Sequence, residues 1–492
     1  MKRWQTLFIL EITLLSLRGL PSFSASIDAK EVEEDNSLAS TLVTPHEPWG
    51  KGWAGGPART LFFVYTGPYD GTWEDTGTRV REVVELQQRF DLPGDAVLFC
   101  GKGDNWVFHG LRDGEDRAER LLKKPYDLYV IAGFPLDKLH PKFQYLILEQ
   151  VAKGAGLVCC GSSAKDFMVA RRKIDPTPSA LINSLPVLDA KTAAQYVTAY
   201  RLGKGRGVWL NYGAQSVGPR REFSYRGLTE YDYWMALVGR AALWAAGNES
   251  PVGIDAINGD KPAALDRASH GNNVEVVLSN GGEQSTSVIV VTALRRASDG
   301  MKQTLGATKL VLEAGKPASL KVNIPAARAG DYFLDVVARD SRGVVAFGAG
   351  NVTVSSEPGI EKVEVDRTFV ERGQAINATA TLRGDVPAGA VLRMRLRDSY
   401  DRIVWQRDIS PEKGQPTHTV EYRADGFATI LMRVEAALVV GGQEADMKDA
   451  DFSVPKRRQG QMNFVMWDAP LDVLGYYTWR QLQEAGMGVC LL

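Results

Sequence analysis

The sequence predicts a multidomain protein of the α/β and β classes: a doubly wound α/β domain, then two β-sandwiches, then a βαβ unit. Three observations predict this. Between residues 59 and 250, near-continuous apolar runs alternate with segments of helical spacing, as in a parallel sheet covered on both faces. From 251 to 457 the pattern becomes short alternating strands, one roughly every 8–12 residues, with polar turns between them. From 461 to 492 a strand, a helix and a strand succeed one another.

Residues 1–26 read as a secretory signal. Lys2 and Arg3 give a positive start, residues 7–17 an apolar stretch, and residues 22–26 small side chains for cleavage. Glu11 interrupts the apolar stretch, and a single-span anchor is the alternative, although the run is short of the roughly 20 apolar residues a span needs. The expected location is therefore secreted or periplasmic. Residues 27–58 read as a linker, with Pro45, Pro48, Gly50, Gly52, Gly55, Gly56 and Pro57.

The chain of 492 residues carries 58 basic and 59 acidic side chains, a net charge of -1. That balance argues against nucleic-acid binding, which needs a basic stripe. No polybasic patch or later apolar span predicts membrane contact beyond the signal or an N-terminal anchor. The four cysteines, Cys100, Cys159, Cys160 and Cys490, show no metal-ligand spacing, so no metal or cofactor is expected. Buried small hydrophobes are the simplest account of them.

Within 59–250 the predicted strands are 59–66, 96–100, 126–133, 157–160, 196–201 and 207–212. Helical spacing covers 78–90, 115–124, 143–152 and 229–246. In the last of these, Tyr233, Trp234, Leu237, Leu243 and Trp244 are expected to pack against the sheet. The run Gly203-Lys204-Gly205-Arg206-Gly207 lacks the spacing of a phosphate loop and reads as a hairpin turn.

Four segments, 126–133, 148–158, 203–210 and 231–234, resemble the class I glutamine-amidotransferase-like fold, which is flavodoxin-like. More narrowly, 59–250 is similar to the degenerate versions attached to bacterial carbohydrate-active enzymes. In the active family a cysteine sits in a G-x-C-x-G elbow between strand and helix, and a later His-x-Glu completes a triad. Cys159-Cys160-Gly161 matches the C-x-G half, while Leu157 stands where the leading glycine would be. None of His46, His109, His140, His270 and His418 belongs to a His-x-Glu. Two readings remain: Cys159 or Cys160 is a nucleophile, or the two are a buried thiol pair at a strand end. Trp73 and Trp106 fall in polar-aromatic loop segments, 73–76 and 105–109, near the expected carboxyl ends of strands, where α/β sheets bind ligands. They read either as stacking platforms for a sugar or peptide, or as rim packing.

Residues 251–356 and 357–457 resemble the immunoglobulin-like spacers of secreted glycosidases, without the Cys…Trp…Cys core of antibody domains. Rigid spacing or subunit contact is the expected role, and a carbohydrate-binding face is the alternative. Two hairpins, 338–345 and 396–404, share an Arg-Asp-Ser core and thus turn chemistry.

In 461–492 the predicted strands are 463–467 and 489–492, with a helix over 476–485. This stretch looks like the opening of a glycoside hydrolase (β/α)8 barrel. The resemblance implies that Trp467 and Asp468, at the carboxyl end of the first barrel strand, contact substrate. The paired carboxylates of glycoside hydrolysis would come from later strands. The expected function is thus the ancillary, non-catalytic region of a secreted carbohydrate-active enzyme whose barrel is mostly missing, with carbohydrate as partner. The alternatives are an amidotransferase-like cysteine hydrolase and a secreted scaffold or adhesion protein.

Overall fold

A computed structural model describes residues 58–65, 83, 86–87, 89–90, 92–102, 105–161, 172–188, 193–211, 225–269, 272–423, 429–455, 464–466, 481–482, 484–485 and 487–490. The chain is a β-rich multidomain protein with few helices and several sheets. It divides into two compact units, Met1–Ser355 and Ser356–Leu492. Residues 1–57, with the predicted signal and nearly all of the linker, lie outside the described residues. Among the described residues no helix is long and apolar enough to cross a membrane.

The first unit begins with strand β1 (Thr60–Tyr65), then β2 (Gly94–Lys102) and β3 (Asn105–Phe108). Helix α1 (Arg112–Leu121), β4 (Leu128–Ala132), helix α2 (Pro141–Lys153) and β5 (Gly156–Cys160) come next. After β6 (Arg172–Ile174) come two single-turn helices, α3 (Ser179–Ile182) and α4 (Ala193–Tyr196). Then come β7 (Val197–Leu202), β8 (Gly205–Leu210) and the long helix α5 (Tyr225–Ala246). The eight strands form one sheet in the order β3-β2-β1-β4-β5-β8-β7-β6. β1, β2, β4, β5 and β8 are mutually parallel. β3, β7 and β6 add antiparallel edges, so the sheet is mixed. The polar segment of Trp106 is thus an edge strand hydrogen-bonded to β2 rather than a loop.

The central strands are apolar at successive positions because both faces are covered. Leu61, Phe63, Tyr129, Ile131, Leu157 and Cys159 face one core, which includes Ala118 of α1 and Phe143 and Ile147 of α2. Phe62, Val64, Val130, Val158, Cys160 and Val208 face a second core with α5 and with Val83, Leu86 and Phe90 of a helical segment. α2 starts where Pro141 occupies its first turn and the His140 ring accepts a hydrogen bond from the Lys142 amide at 3.3 Å.

The first sandwich consists of β9 (Val252–Ile257), β10 (Ala263–Asp266), β11 (Asn273–Asn280), β12 (Thr286–Arg296), β13 (Lys302–Leu312), β14 (Ala318–Asn323), β15 (Gly330–Asp340) and β16 (Gly343–Ser355). One sheet runs β10-β16-β15-β12-β13 and the other β14-β11-β9. Val276, Leu278, Val290, Leu334, Val336 and Val352 form the core between them. The sandwich is continuous with the α/β layer. Phe333, Val337, Val344, Phe347 and Ala349 belong to the same apolar cluster as α5.

The side chains of α5 expected to pack against the sheet share its core, and the sandwich meets them as well. Tyr233, expected to pack against the sheet, meets Phe333 at 4.9 Å and Phe347 at 6.2 Å between ring centroids. The physical reason is the composition of α5, whose positions 233–238 and 241–245 are all buried. A helix apolar on every side needs cover on every side, and the sandwich supplies the second cover.

The second unit contains β17 (Gly359–Val365), β18 (Ala375–Arg383), β19 (Val391–Asp398), β20 (Ile403–Ile409), β21 (Thr417–Arg423), β22 (Leu431–Val440) and β23 (Gln443–Ser453). Sheets β17-β18-β21 and β20-β19-β22-β23 share one core, with Ile376, Ala378 and Tyr422 from the first and Leu392, Met394, Val434 and Phe452 from the second. Two further strands, β24 (Phe464–Met466) and β25 (Met487–Cys490), pair in parallel, and residues 481, 482 and 484 between them are helical.

Candidate functional site

The carboxyl end of the parallel strands is the first place to look for chemistry. Cys159 and Cys160 are the last residues of β5, paired with Ile131 and Ala132 on one side and Trp209 and Leu210 on the other. Successive strand residues face opposite ways, so Cys159 lies in the α1/α2 core and Cys160 in the α5 core. Both are 0% exposed. A nucleophile elbow places its strain on the nucleophile, but here the positive φ, 74°, belongs to Gly161. The Gly161 amide instead donates to Leu210 O at 2.7 Å and extends the sheet.

The histidines lie elsewhere. His109 comes after β3, four strand steps from β5, about 19 Å at ordinary strand spacing. Burial lowers its pKa. His140 caps α2, and His418 is buried on β21 of the second unit. His46 and His270 lie outside the described residues.

Trp106 is half-buried and packs at the sheet edge. Its ring stacks on Phe99 at 5.8 Å and meets Tyr65 at 5.7 Å and Phe134 at 6.0 Å. A side chain at Gly101 would come within 2.5 Å of that ring, so only glycine lets it lie across β2. Trp73, Trp467 and Asp468 lie outside the described residues.

The junction between α5 and the first sandwich is held by charge as well as by apolar contact. Asp335 on β15 is 1% exposed and receives the Tyr233 hydroxyl at 2.7 Å and the Arg295 guanidinium at 2.8 and 3.0 Å. Arg295 also donates to Asp232 at 2.9 Å, and Arg89 reaches the same carboxylate at 3.1 Å. Burial opposes the charge on Arg295, but Asp335, Tyr233 and Asp232 outweigh it and raise its pKa. Burial pushes the Tyr233 hydroxyl well up as well, so it serves as a donor throughout the physiological range.

About two turns further along α5, Arg240 donates to Asn183 O at 2.5 Å and to Phe347 O, and burial lowers its pKa to about 10. Beside it lies a cleft of about 260 Å³, between residues 182–188 and the β9 and β16 strands. Ser184, buried to 5% exposure, has φ 53°, a left-handed backbone unusual for a side-chain-bearing residue. Its carbonyl accepts from Ala349 N at 2.8 Å. Its hydroxyl has no hydrogen-bond partner.

Across the cleft, Asn258, Gly259 and Asp260 have φ of 54°, 61° and 57°, one turn of left-handed helix. The Asp260 carboxylate accepts the backbone N–H groups of Ile257 and Ser184, yet burial raises its pKa overall. Lys261 and Asn351 complete the polar lining, and the Asn351 amide nitrogen donates to Pro186 O at 3.0 Å. Close approach is possible because β16 carries Gly348 and Gly350. A Cβ on these would meet Ser184 at 3.1 Å and Ile257 at 2.6 Å respectively.

Sequence reasoning missed this cleft. The Asn258-Gly259 turn signal and the Gly348/Gly350 alternation were its only local traces. Among the described residues no group of three or more His, Cys, Asp or Glu side chains could hold a metal ion.

No family model matches the chain, and no curated protein matches it. Among solved structures it is similar to the crystal structure of a tetra-tandem repeat in the extending region of a large adhesion protein. The identity is 15% over 42% of this chain and 48% of that one, with a TM-score of 0.18. The match spans about half the length of that structure, and at this score it bears on neither fold nor function.

Proposed function

We propose that the chain is the non-catalytic framework region of an exported carbohydrate-active enzyme. In this reading a flavodoxin-like, amidotransferase-type layer and two immunoglobulin-like sandwiches carry the opening of a glycoside hydrolase (β/α)8 barrel. The observation that carries it is the enclosure of the α/β layer. The two thiols that match the elbow are fully buried on opposite faces of β5. The helix closing the layer is sealed beneath a sandwich. A nucleophile must be an accessible thiolate, whereas a spacer must be rigid. The parallel pairing of β24 with β25, with helical residues between, supports the barrel part of the reading. Export and a carbohydrate partner belong to the same proposal.

The experiment is expression of the coding region through the end of its reading frame, assayed on a panel of aryl glycosides. Glycosidase activity that depends on residues beyond Leu492 is the expected result. A reading frame that stops directly after Leu492, or a full product inert on every glycoside, overturns the proposal. Thiol labelling of the native chain discriminates the hydrolase. Cys159 and Cys160 are expected to react with iodoacetamide only after unfolding. Rapid labelling accompanied by glutamine hydrolysis would instead make the protein a cysteine amidohydrolase.

A further inference from the structure

We propose that the apolar end of the second sandwich, built around Phe369, Ile430 and Leu431, is the seat on which the domain opened by residues 461–492 packs. The inference rests on the framework reading and adds to it the surface that holds the two parts together.

The patch is an exception on its own sheet. Leu431 lies on the outward face of β22, and along that face the neighbouring rows are ionic. Arg393 meets Asp408 on β20 at 2.9 Å, Arg397 meets Glu435 on β22 at 2.7 Å, and Arg433 meets Asp451 on β23 at 3.1 Å. At the end of the sheet apolar side chains replace the charges. Phe369, Ile430 and Leu431 are 53%, 53% and 48% exposed. Tyr400 and Ile403, in and just after the neighbouring β19–β20 turn, are exposed as well. Single exposed apolar side chains are ordinary, but a group of them rimmed by polar residues marks a surface that meets something.

The path of the chain identifies the occupant. Ser453, the last residue of β23, is paired with Leu431 on one side and with Phe369 on the other. Directly opposed residues share a face, so the two side chains flank Ser453 about 10 Å apart. The backbone is pinned at the same point. Ser453 N donates to Thr368 O at 2.9 Å, and Val454 N to Ile430 O at 2.7 Å. The chain therefore leaves the sandwich through the middle of the patch. β24 starts at Phe464, no more than about 35 Å of extended chain from Val454, and belongs to the same compact unit. β24 and β25 pair in parallel, and a two-stranded parallel sheet needs apolar cover. A partner tethered this closely meets the patch at a high effective concentration, which a separate protein does not.

The test is hydroxyl-radical footprinting, read by mass spectrometry, on the chain to Leu492 and on the product of the full reading frame. Labelling of Phe369, Ile430 and Leu431 is expected to fall by about fivefold or more in the longer product, as at the buried centre of an interface. Tyr145 and Met301, exposed elsewhere, should label equally in both. Leu431→Glu changes an exposed side chain, so the sandwich keeps its fold. In the longer product this variant should restore labelling of Phe369 and Ile430. An active glycosidase in which the three residues label as in the shorter chain overturns the seat and leaves the framework reading standing. A frame that stops directly after Leu492 overturns both. Protection that rises with protein concentration, with a dimer in sedimentation that Leu431→Glu dissociates, assigns the patch to a second copy and also overturns the proposal.

Discussion

Asp340 and Asp398 close two hairpins by the same side-chain device. Asp340 accepts the Arg342 amide at 2.8 Å and its guanidinium at 2.7 and 3.0 Å. Asp398 accepts the amides of Tyr400 and Arg402 at 2.9 and 3.0 Å and the Arg402 guanidinium at 2.7 Å. The shared Arg-Asp-Ser of the two turns made this legible, because an Asp at the start of a turn needs only local partners. Burial pushes the Asp398 carboxyl up, but Arg402 and the two amides outweigh it and hold it below the usual range. A depressed carboxyl contributes stability above its unfolded pKa, about 3.9, and loses it as pH falls through the lower folded value. Asp398→Ala should lower the melting temperature of the second unit at pH 7 by about 4 °C. The difference from the native chain should shrink as pH falls through the depressed folded value, as tracked by circular dichroism. Ser184 was not legible in this way. Its backbone lies against residues distant in sequence, Gly348 and Ala349 of β16, and no neighbouring residue announces it.

Among the elements, burial decided what could be read. β1, β4 and β5 are buried along nearly their whole length and stand out as apolar runs. β13 and β23 are edge strands, the first largely exposed and the second only partly buried, with sequences KQTLGATKLVL and QEADMKDADFS, and neither stands out as an apolar run. An edge strand needs polar side chains to resist pairing with other chains, which erases its periodic signal. α5 was found, but only one of its two covers was foreseen, because apolar side chains do not say which surface will meet them. Its polar contacts do. Replacing Arg295 by Ala strips Asp335 of its main partner in a buried setting. That should destabilise the first unit by roughly 3–5 kcal/mol, read from urea unfolding. Tyr233→Phe removes only one neutral donor and should cost roughly 1–2 kcal/mol. Equal losses for the two variants would mean that the Arg295 guanidinium supports Asp335 no more than the Tyr233 hydroxyl does.

At the scale of the whole molecule, the change of pattern at residue 251 is a change of secondary structure and not of packing. Phe333, Val337, Val344, Phe347 and Ala349 join the core built around α5, and Asn351 reaches back to Pro186. Sequence periodicity reports which face of a strand is buried, but not against which part of the chain. A fragment of residues 251–355 expressed alone should therefore expose that apolar face. It should aggregate or melt at least about 10 °C below residues 58–355 expressed together, as measured by scanning fluorimetry and light scattering. Equal melting of the two pieces would make the shared core energetically idle.

The sealing of α5 beneath the sandwich also limits how such a chain can be reshuffled over generations. An exchange of coding sequence at the 250/251 boundary would pair one helix with a stranger's surface. It would be tolerated only if the newcomer brought its own match for Tyr233, Arg240 and Asp232. A crossover at 355/356 cuts where one compact unit ends and the next begins. Descendants of this architecture should therefore inherit the first sandwich and the α/β layer together.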